Sequence, residues 1–157
     1  MDKRLFGIIL TAMLLGWFSH SAFSSVSFEL PYGWAAPERN SPANHLSEDK
    51  IQVYKDFAVI RAPELMWATF ANTNSMDPVL DADTHALEVP PRTPEDIHVG
   101  DIVSYALDGE IIVHRVIRIG SDDEGWYAIL KGDNNPAPDP EKMRFSQIHG
   151  IVVGIIY

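Results

Sequence analysis

Three residues able to support nucleophilic catalysis stand far apart in this chain. They are a serine in "ANTNSMDPVLD" (71–81), a histidine in "IIVHRVIRI" (111–119) and an aspartate in "KGDNNPAPDP" (131–140). A serine hydroxyl is a weak nucleophile until a neighbouring base takes its proton, and a carboxylate can hold that base in the productive tautomer. Ser75 sits among Asn, Asp and Pro, which favour sharp bends. Such a bend can display a side chain at the end of a strand, or it can simply reverse the chain. His114 is embedded in Ile and Val. Strand alternation puts it on one face with Ile112 and Val116, and puts Val113, Arg115 and Ile117 on the other. A buried imidazole needs a hydrogen-bond partner, and Arg115 is expected to pair with a carboxylate. Pro136, Pro138 and Pro140 restrict φ along the third stretch, so Asp139 is held in place. Spacing alone does not join the three residues, since Gly, Asp, Asn and Pro also build ordinary loops.

The elements that must position these residues read as strands. From Ile51 onward, short runs with period-two alternation or β-branched content follow one another: "IQVYKDFAVIRA", "HALEVP", "DIVSYA", "IIVHRVIRIG", "GWYAILKG" and "GIVVGIIY". Turn signals separate them, among them "PPRTPEDIHVG", "LDGE" and "GSDDEG". Six or seven strands with little helix predict a mostly β domain over 51–157, a compact barrel or coiled sheet. The final run is too short to span a bilayer and reads as core. Asp101 and Gly100 read as a turn onto this domain. Trp67 and Phe70 form either an exposed apolar edge beside Ser75 or part of the core.

The composition narrows the function classes. Against 22 acidic residues stand 12 Lys and Arg, a formal net charge of −10. That surface repels phosphate backbones, which argues against a nucleic-acid partner. With no cysteine, disulfides, thiol catalysis and thiolate metal sites are all excluded. The six histidines form no HxxxH pair, so neither a metal nor a cofactor is expected.

The N-terminus differs from the rest. Lys3 and Arg4 precede the uncharged run Leu5–Phe18, and "SHSAFSS" follows. Such a run suits a signal-peptide core, and extended to Phe23 it approaches the length of a membrane span. Residues 1–24 are therefore expected to act as a membrane anchor or signal segment, with the two basic residues on the cytoplasmic side. Residues 25–50, rich in proline and small polar residues, read as a stalk.

In their order and separations, "TNSMDP" (73–78), "VGDIVSY" (99–105), "HRVI" (114–117) and "KGDNN" (131–135) resemble the boxes of type I signal peptidases. The resemblance is to the archaeal and eukaryotic (endoplasmic reticulum) branch, and it covers roughly residues 51–157 together with the anchor these enzymes carry. It implies a largely β serine endopeptidase that cleaves signal peptides from exported preproteins after small residues, outside the cytoplasm. Bacterial members use a lysine as base, whereas this chain has no lysine between Lys55 and Lys131 and carries His114 in "HRVI". The resemblance thus implies Ser75 as nucleophile, His114 as base and Asp139 as the acid that orients it, with Asp133 supporting the loop. Many relatives have a second aspartate where Pro138 stands. Thr73 and the Ser75 amide are the implied oxyanion donors, and Met76 lines the pocket for the small side chain. Asn74 stands where many relatives have glycine, a substitution that suits a positive φ.

The partners so implied are exported preproteins, membrane lipid and the protein translocation machinery. The alternative is a catalytically silent relative that binds exported chains or assists a peptidase complex.

Overall fold

The computed structural model describes residues 39–157. They are mostly β, arranged in antiparallel sheets. The expected anchor (1–24) and the first part of the expected stalk lie outside the described residues. The remainder of that stretch, from 39 to 50, lies against the domain. Ala43 donates its amide to Asp101 Oδ1 at 2.9 Å, and only at Glu48–Lys50 does a short 3-10 turn appear. No helix among the described residues is long and apolar enough to cross a membrane.

The expected run over 51–62 is not one strand. It folds back on itself as β1 (Ile51–Val53) and β2 (Ala58–Ile60), a separate two-stranded sheet. Lys55 and Asp56 sit at the reversal, which is closed by the Tyr54 amide donating to the Phe57 carbonyl at 2.8 Å. Turn-forming polar residues in mid-run outweigh the β-branched content on either side.

The remaining strands are β3 (Met66–Thr69), β4 (His85–Val89), β5 (Ile102–Leu107), β6 (Glu110–Asp122), β7 (Gly125–Lys131), β8 (Met143–Arg144) and β9 (Ile148–Ile156). They form one seven-stranded sheet in the order β3-β4-β9-β5-β6-β7-β8. The "LDGE" signal makes a tight hairpin between β5 and β6, with Asp108 and Gly109 both at positive φ (53° and 84°), as a two-residue turn matching strand twist requires. The C-terminal strand β9 lies between β4 and β5, in the interior of the sheet.

Two apolar clusters flank the sheet. One holds Ile97, Val103, Tyr105, Val116, Ala128, Leu130, Met143, Ile148 and Ile151. The other holds Met76, Leu80, Ala86, Ile102 and Val152, with Phe70 and Val113 against it. The second cluster forms the underside of the turn that carries Ser75, so Phe70 belongs to this packing while Trp67, 57% exposed, does not.

The turn before β5 is tied down from both sides. Gly100 has φ +106°, and a Cβ there would collide with the Ser41 carbonyl, so glycine is required on two counts. Asp101, fully buried, accepts the His98 amide at 2.8 Å as well as that of Ala43. The fold also gathers ligand atoms of His45, His98 and Asp101 within 4.8 Å of one another, a grouping that spacing along the chain does not reveal. Both Asp101 oxygens already accept backbone amides, which marks the cluster as a clasp on residues 41–45.

Candidate active site

Ser75 follows Asn74, whose φ of +58° is the left-handed conformation that asparagine tolerates better than most residues. The bend is closed by the amides of Val79 and Leu80 donating to the Met76 carbonyl at 2.9 and 3.1 Å. Thr73 Oγ1 and Ser75 Oγ lie 3.2 Å apart in a hydrogen bond in which either hydroxyl can donate. Met76 is buried in the second apolar cluster and also lines the cleft beside Ser75, so it serves as core and as wall together.

The loop after β7 is stitched to this turn. The Asn134 amide donates to the Ser75 carbonyl at 2.9 Å, and Asn134 Nδ2 donates to the Asn74 carbonyl at 3.0 Å. At Gly132 an added Cβ would stand 2.5 Å from the Ser75 carbonyl oxygen, so the two segments approach too closely for a side chain. The "KGDNN" signal therefore packs directly on the "TNSM" turn.

His114, on β6, is 6% exposed, and its Nδ1 lies 2.8 Å from Asp139 Oδ2. Asp139 is held by its own amide, which donates to the Leu130 carbonyl at 2.9 Å. A third member joins them, unforeseen from the residue pattern. Tyr105, fully buried on β5, donates its hydroxyl to the same Asp139 oxygen at 2.7 Å and lies 3.1 Å from His114 Nδ1. A phenol has one proton, and here it goes to the carboxylate. Nδ1 must then carry its own proton to satisfy Asp139, which leaves Nε2 unprotonated in the neutral ring. Burial, reinforced by the hydrogen bond to Asp139 and its charge, pushes the Tyr105 phenol well above its ordinary range, so it stays protonated. Among the described hydrogen bonds, none joins Ser75 Oγ to His114; the serine hydroxyl is turned to Thr73.

Asp133 faces a different partner. Arg115 makes a two-pronged contact with it, Nε to Oδ1 at 2.8 Å and Nη2 to Oδ2 at 2.7 Å, and its Nη1 donates to the Gly100 carbonyl at 2.7 Å. The pair expected for Arg115 is thus present, and it is largely withdrawn from solvent. Burial alone would raise the Asp133 carboxyl, but the Arg115 guanidinium overrides it and holds the group below the usual carboxylate range. The two loop aspartates thus divide. Asp139 meets the histidine, and Asp133 locks the loop to β6.

A cleft of about 270 Å³ opens beside Ser75, lined by residues of β3, β4, β5 and β6 and by the serine turn. Its wall mixes apolar groups with the polar side chains of Thr69, Thr73, Ser75, Glu88, Ser104 and Glu110, and the Ser104 hydroxyl donates to Glu88 Oε2 at 2.7 Å. Glu88 Oε1 has no partner, although such a buried orphan costs about 1–3 kcal/mol. The "HALEVP" run gives no sign of it beyond an acid at an inward position.

Over 71 residues the chain is 39% identical to a protein described as the signal peptidase complex catalytic subunit SEC11 of Plasmodium falciparum (isolate 3D7). The aligned stretch is 43% of this chain and 36% of that protein, so the chain matches little more than a third of the length of this curated relative. No family model matches. The chain is thus similar to a catalytic subunit of a eukaryotic type I signal peptidase, the family its sequence resembles.

Proposed function

We propose that this chain is a membrane-anchored serine endopeptidase of the signal-peptidase type, which cleaves signal peptides from exported preproteins after small residues. Ser75 is the nucleophile, His114 the general base and Asp139 the residue that orients the base. The observation that carries this reading is the buried His114–Asp139 pair, completed by Tyr105 and covered by a loop bonded to the Ser75 turn.

In this mechanism Ser75 Oγ attacks the scissile carbonyl while Nε2 of His114 takes the hydroxyl proton. Asp139 and Tyr105 hold Nδ1–H and so keep Nε2 free for the transfer. When the C–N bond breaks, His114 returns the proton to the leaving amine, and water repeats the cycle on the acyl-enzyme. The Ser75 amide and the Thr73 hydroxyl are the donors for the developing oxyanion, each typically worth about 3–4 kcal/mol. Attack requires Ser75 Oγ to turn from Thr73 toward His114. The substrate lies extended along the free edge of β3, whose Ala68 and Thr69 line the cleft.

Residues 1–24 serve as the anchor, with the N-terminus inside and the β domain outside the cytoplasm, where a preprotein's own signal leaves the bilayer. The hairpin β1–β2 presents Val53, Tyr54 and Phe57 to solvent, an apolar tip suited to a lipid boundary. Retention of the segment is tested by alkaline carbonate extraction and intact mass. A soluble product beginning near Ser25 would mean a cleaved leader.

The second reading, a silent relative that binds exported chains beside the translocation machinery, is favoured only by the Ser75–Thr73 contact that stands in place of a Ser75–His114 bond. Incubating the full-length protein with a preprotein separates the two. Cleavage that disappears in Ser75→Ala supports the peptidase, and binding without cleavage supports the silent form.

A further inference from the structure

Residues 41–45 pack on the turn that leads into β5, and three side chains able to bind a metal meet where they do. His45 comes from the packed segment, and His98 and Asp101 come from the turn, with one ligand atom of each within 4.8 Å of the others. His45 Nε2 stands 2.9 Å from Asp101 Oδ2, and His98 Nδ1 stands 3.8 Å from the same oxygen. The two imidazole rings are 5.7 Å apart between centroids. None of the three belongs to the Ser75 machinery.

An ordinary ion pair does not account for the geometry. His45 Nε2 is buried and makes no hydrogen bond although Asp101 Oδ2 is so near, which means that its N–H direction misses the oxygen. Buried ring nitrogens without a partner are uncommon. Without its proton, the same atom directs a lone pair past the carboxylate, where a cation can meet both. Asp101 is fully buried, and its carboxylate is fixed by the amides of Ala43 on Oδ1 and His98 on Oδ2. Each amide takes one lone pair, so Oδ2 keeps a second for a cation. Hydrogen bonds of this kind orient the carboxylates that ligate metals.

We propose that His45, His98 and Asp101 form a site for a divalent transition metal of the zinc type, with solvent completing a four-coordinate shell. Two imidazole nitrogens and one carboxylate oxygen suit zinc, whereas magnesium and calcium call for oxygen donors. Zinc at about 2.0–2.2 Å from each ligand sets tetrahedral donors about 3.3 Å apart. The 2.9 Å pair has only to open slightly, and the His98 ring, 55% exposed, closes in from 3.8 Å. Its Nδ1 lies 3.2 Å from the Asp96 carbonyl, a contact that the ion replaces. Because that ring is exposed, its movement also gives the ion access to the two shielded donors. Once bound, the metal fastens residues 41–45 to the turn alongside the Ala43–Asp101 hydrogen bond. The site stands whether or not the chain is a peptidase.

The test titrates the chelator-treated, full-length protein with zinc, and with cobalt as its spectroscopic stand-in. The wild type is expected to show the intense visible absorption of four-coordinate cobalt, and added zinc should slow hydrogen exchange at the Ala43 amide. His98→Ala removes an exposed ring without opening the core. It should abolish the cobalt band and weaken zinc binding by more than about 100-fold, beyond the loss a supporting residue causes. His45→Ala should do the same, and circular dichroism of both variants checks that the fold is intact. Cobalt that stays octahedral in the wild type, or magnesium binding as tightly as zinc, would overturn the proposal. So would zinc binding unchanged in His98→Ala, which would place the ion on other histidines, or Ala43 exchange indifferent to zinc.

Discussion

Tyr105 and His114 share one acceptor: both lie within hydrogen-bond distance of Oδ2 of Asp139, at 2.7 and 2.8 Å, and all three side chains are largely or wholly shielded from water. Because the tyrosine spends its only proton on the carboxylate, the histidine must present a protonated Nδ1, and the tautomer is set by an arrangement of three residues. Tyr105→Phe keeps the ring that fills the core and removes the second donor. The expected outcome is a fall in kcat of about tenfold, the worth of one hydrogen bond to a charged group, with KM unchanged and a shift in the Nδ1 proton resonance of His114. A purely structural tyrosine would lose stability and leave that resonance and kcat where they were.

The two loop aspartates separate by the same logic. Asp139→Asn presents an amide to Nδ1, favours the wrong imidazole tautomer and should cut the rate by about 10⁴-fold in a folded protein. Asp133→Asn breaks the two-pronged Arg115 contact and should register chiefly as lost stability. Rate constants measured beside urea unfolding check both, and a larger catalytic loss at Asp133 than at Asp139, with folding intact, would reverse their roles.

Acid stability carries opposite signatures at two buried carboxyls. Asp133, where burial is outweighed by the Arg115 guanidinium, has its carboxyl lowered in the fold. Its stabilisation is therefore present above the unfolded value of about 4 and is lost as pH falls through the folded value. Glu88 is raised by burial, so its neutral form suits the fold, and stability declines as pH rises from about 4.3 through the raised value. Urea midpoints between pH 3 and pH 8 should show a shallower acid decline in Asp133→Asn. In Glu88→Gln the gain over wild type should be larger at pH 7 than at pH 4. Curves parallel to wild type would contradict these assignments.

Much of the site can be read along the chain, and the reasons it can are local. The "LDGE" turn, the positive φ at Asn74 and the inward face of His114 depend on residues within a few positions of one another. The mostly β character likewise follows from alternation. What escapes the linear reading is long-range. That β9 enters the interior of the sheet, that Tyr105 reaches a loop aspartate 34 positions later, and that Glu88 meets Ser104 across Gly150 all depend on strand order and register shifts. The fold-back at Tyr54–Phe57 was masked by β-branched neighbours on both sides. Tyr105 reads as one more strand aromatic until its hydroxyl is seen to have a partner.

The central claim is that Ser75 and His114 act as one unit, and a double-mutant cycle on cleavage measures it directly. Ser75→Ala and His114→Ala, each in the full-length protein with a preprotein substrate, should each remove nearly all of kcat/KM. The double variant should lose little more, because a nucleophile without its base and a base without its nucleophile fail at the same step. Losses that multiply in the double variant, or near-normal turnover in either single variant, would contradict the account.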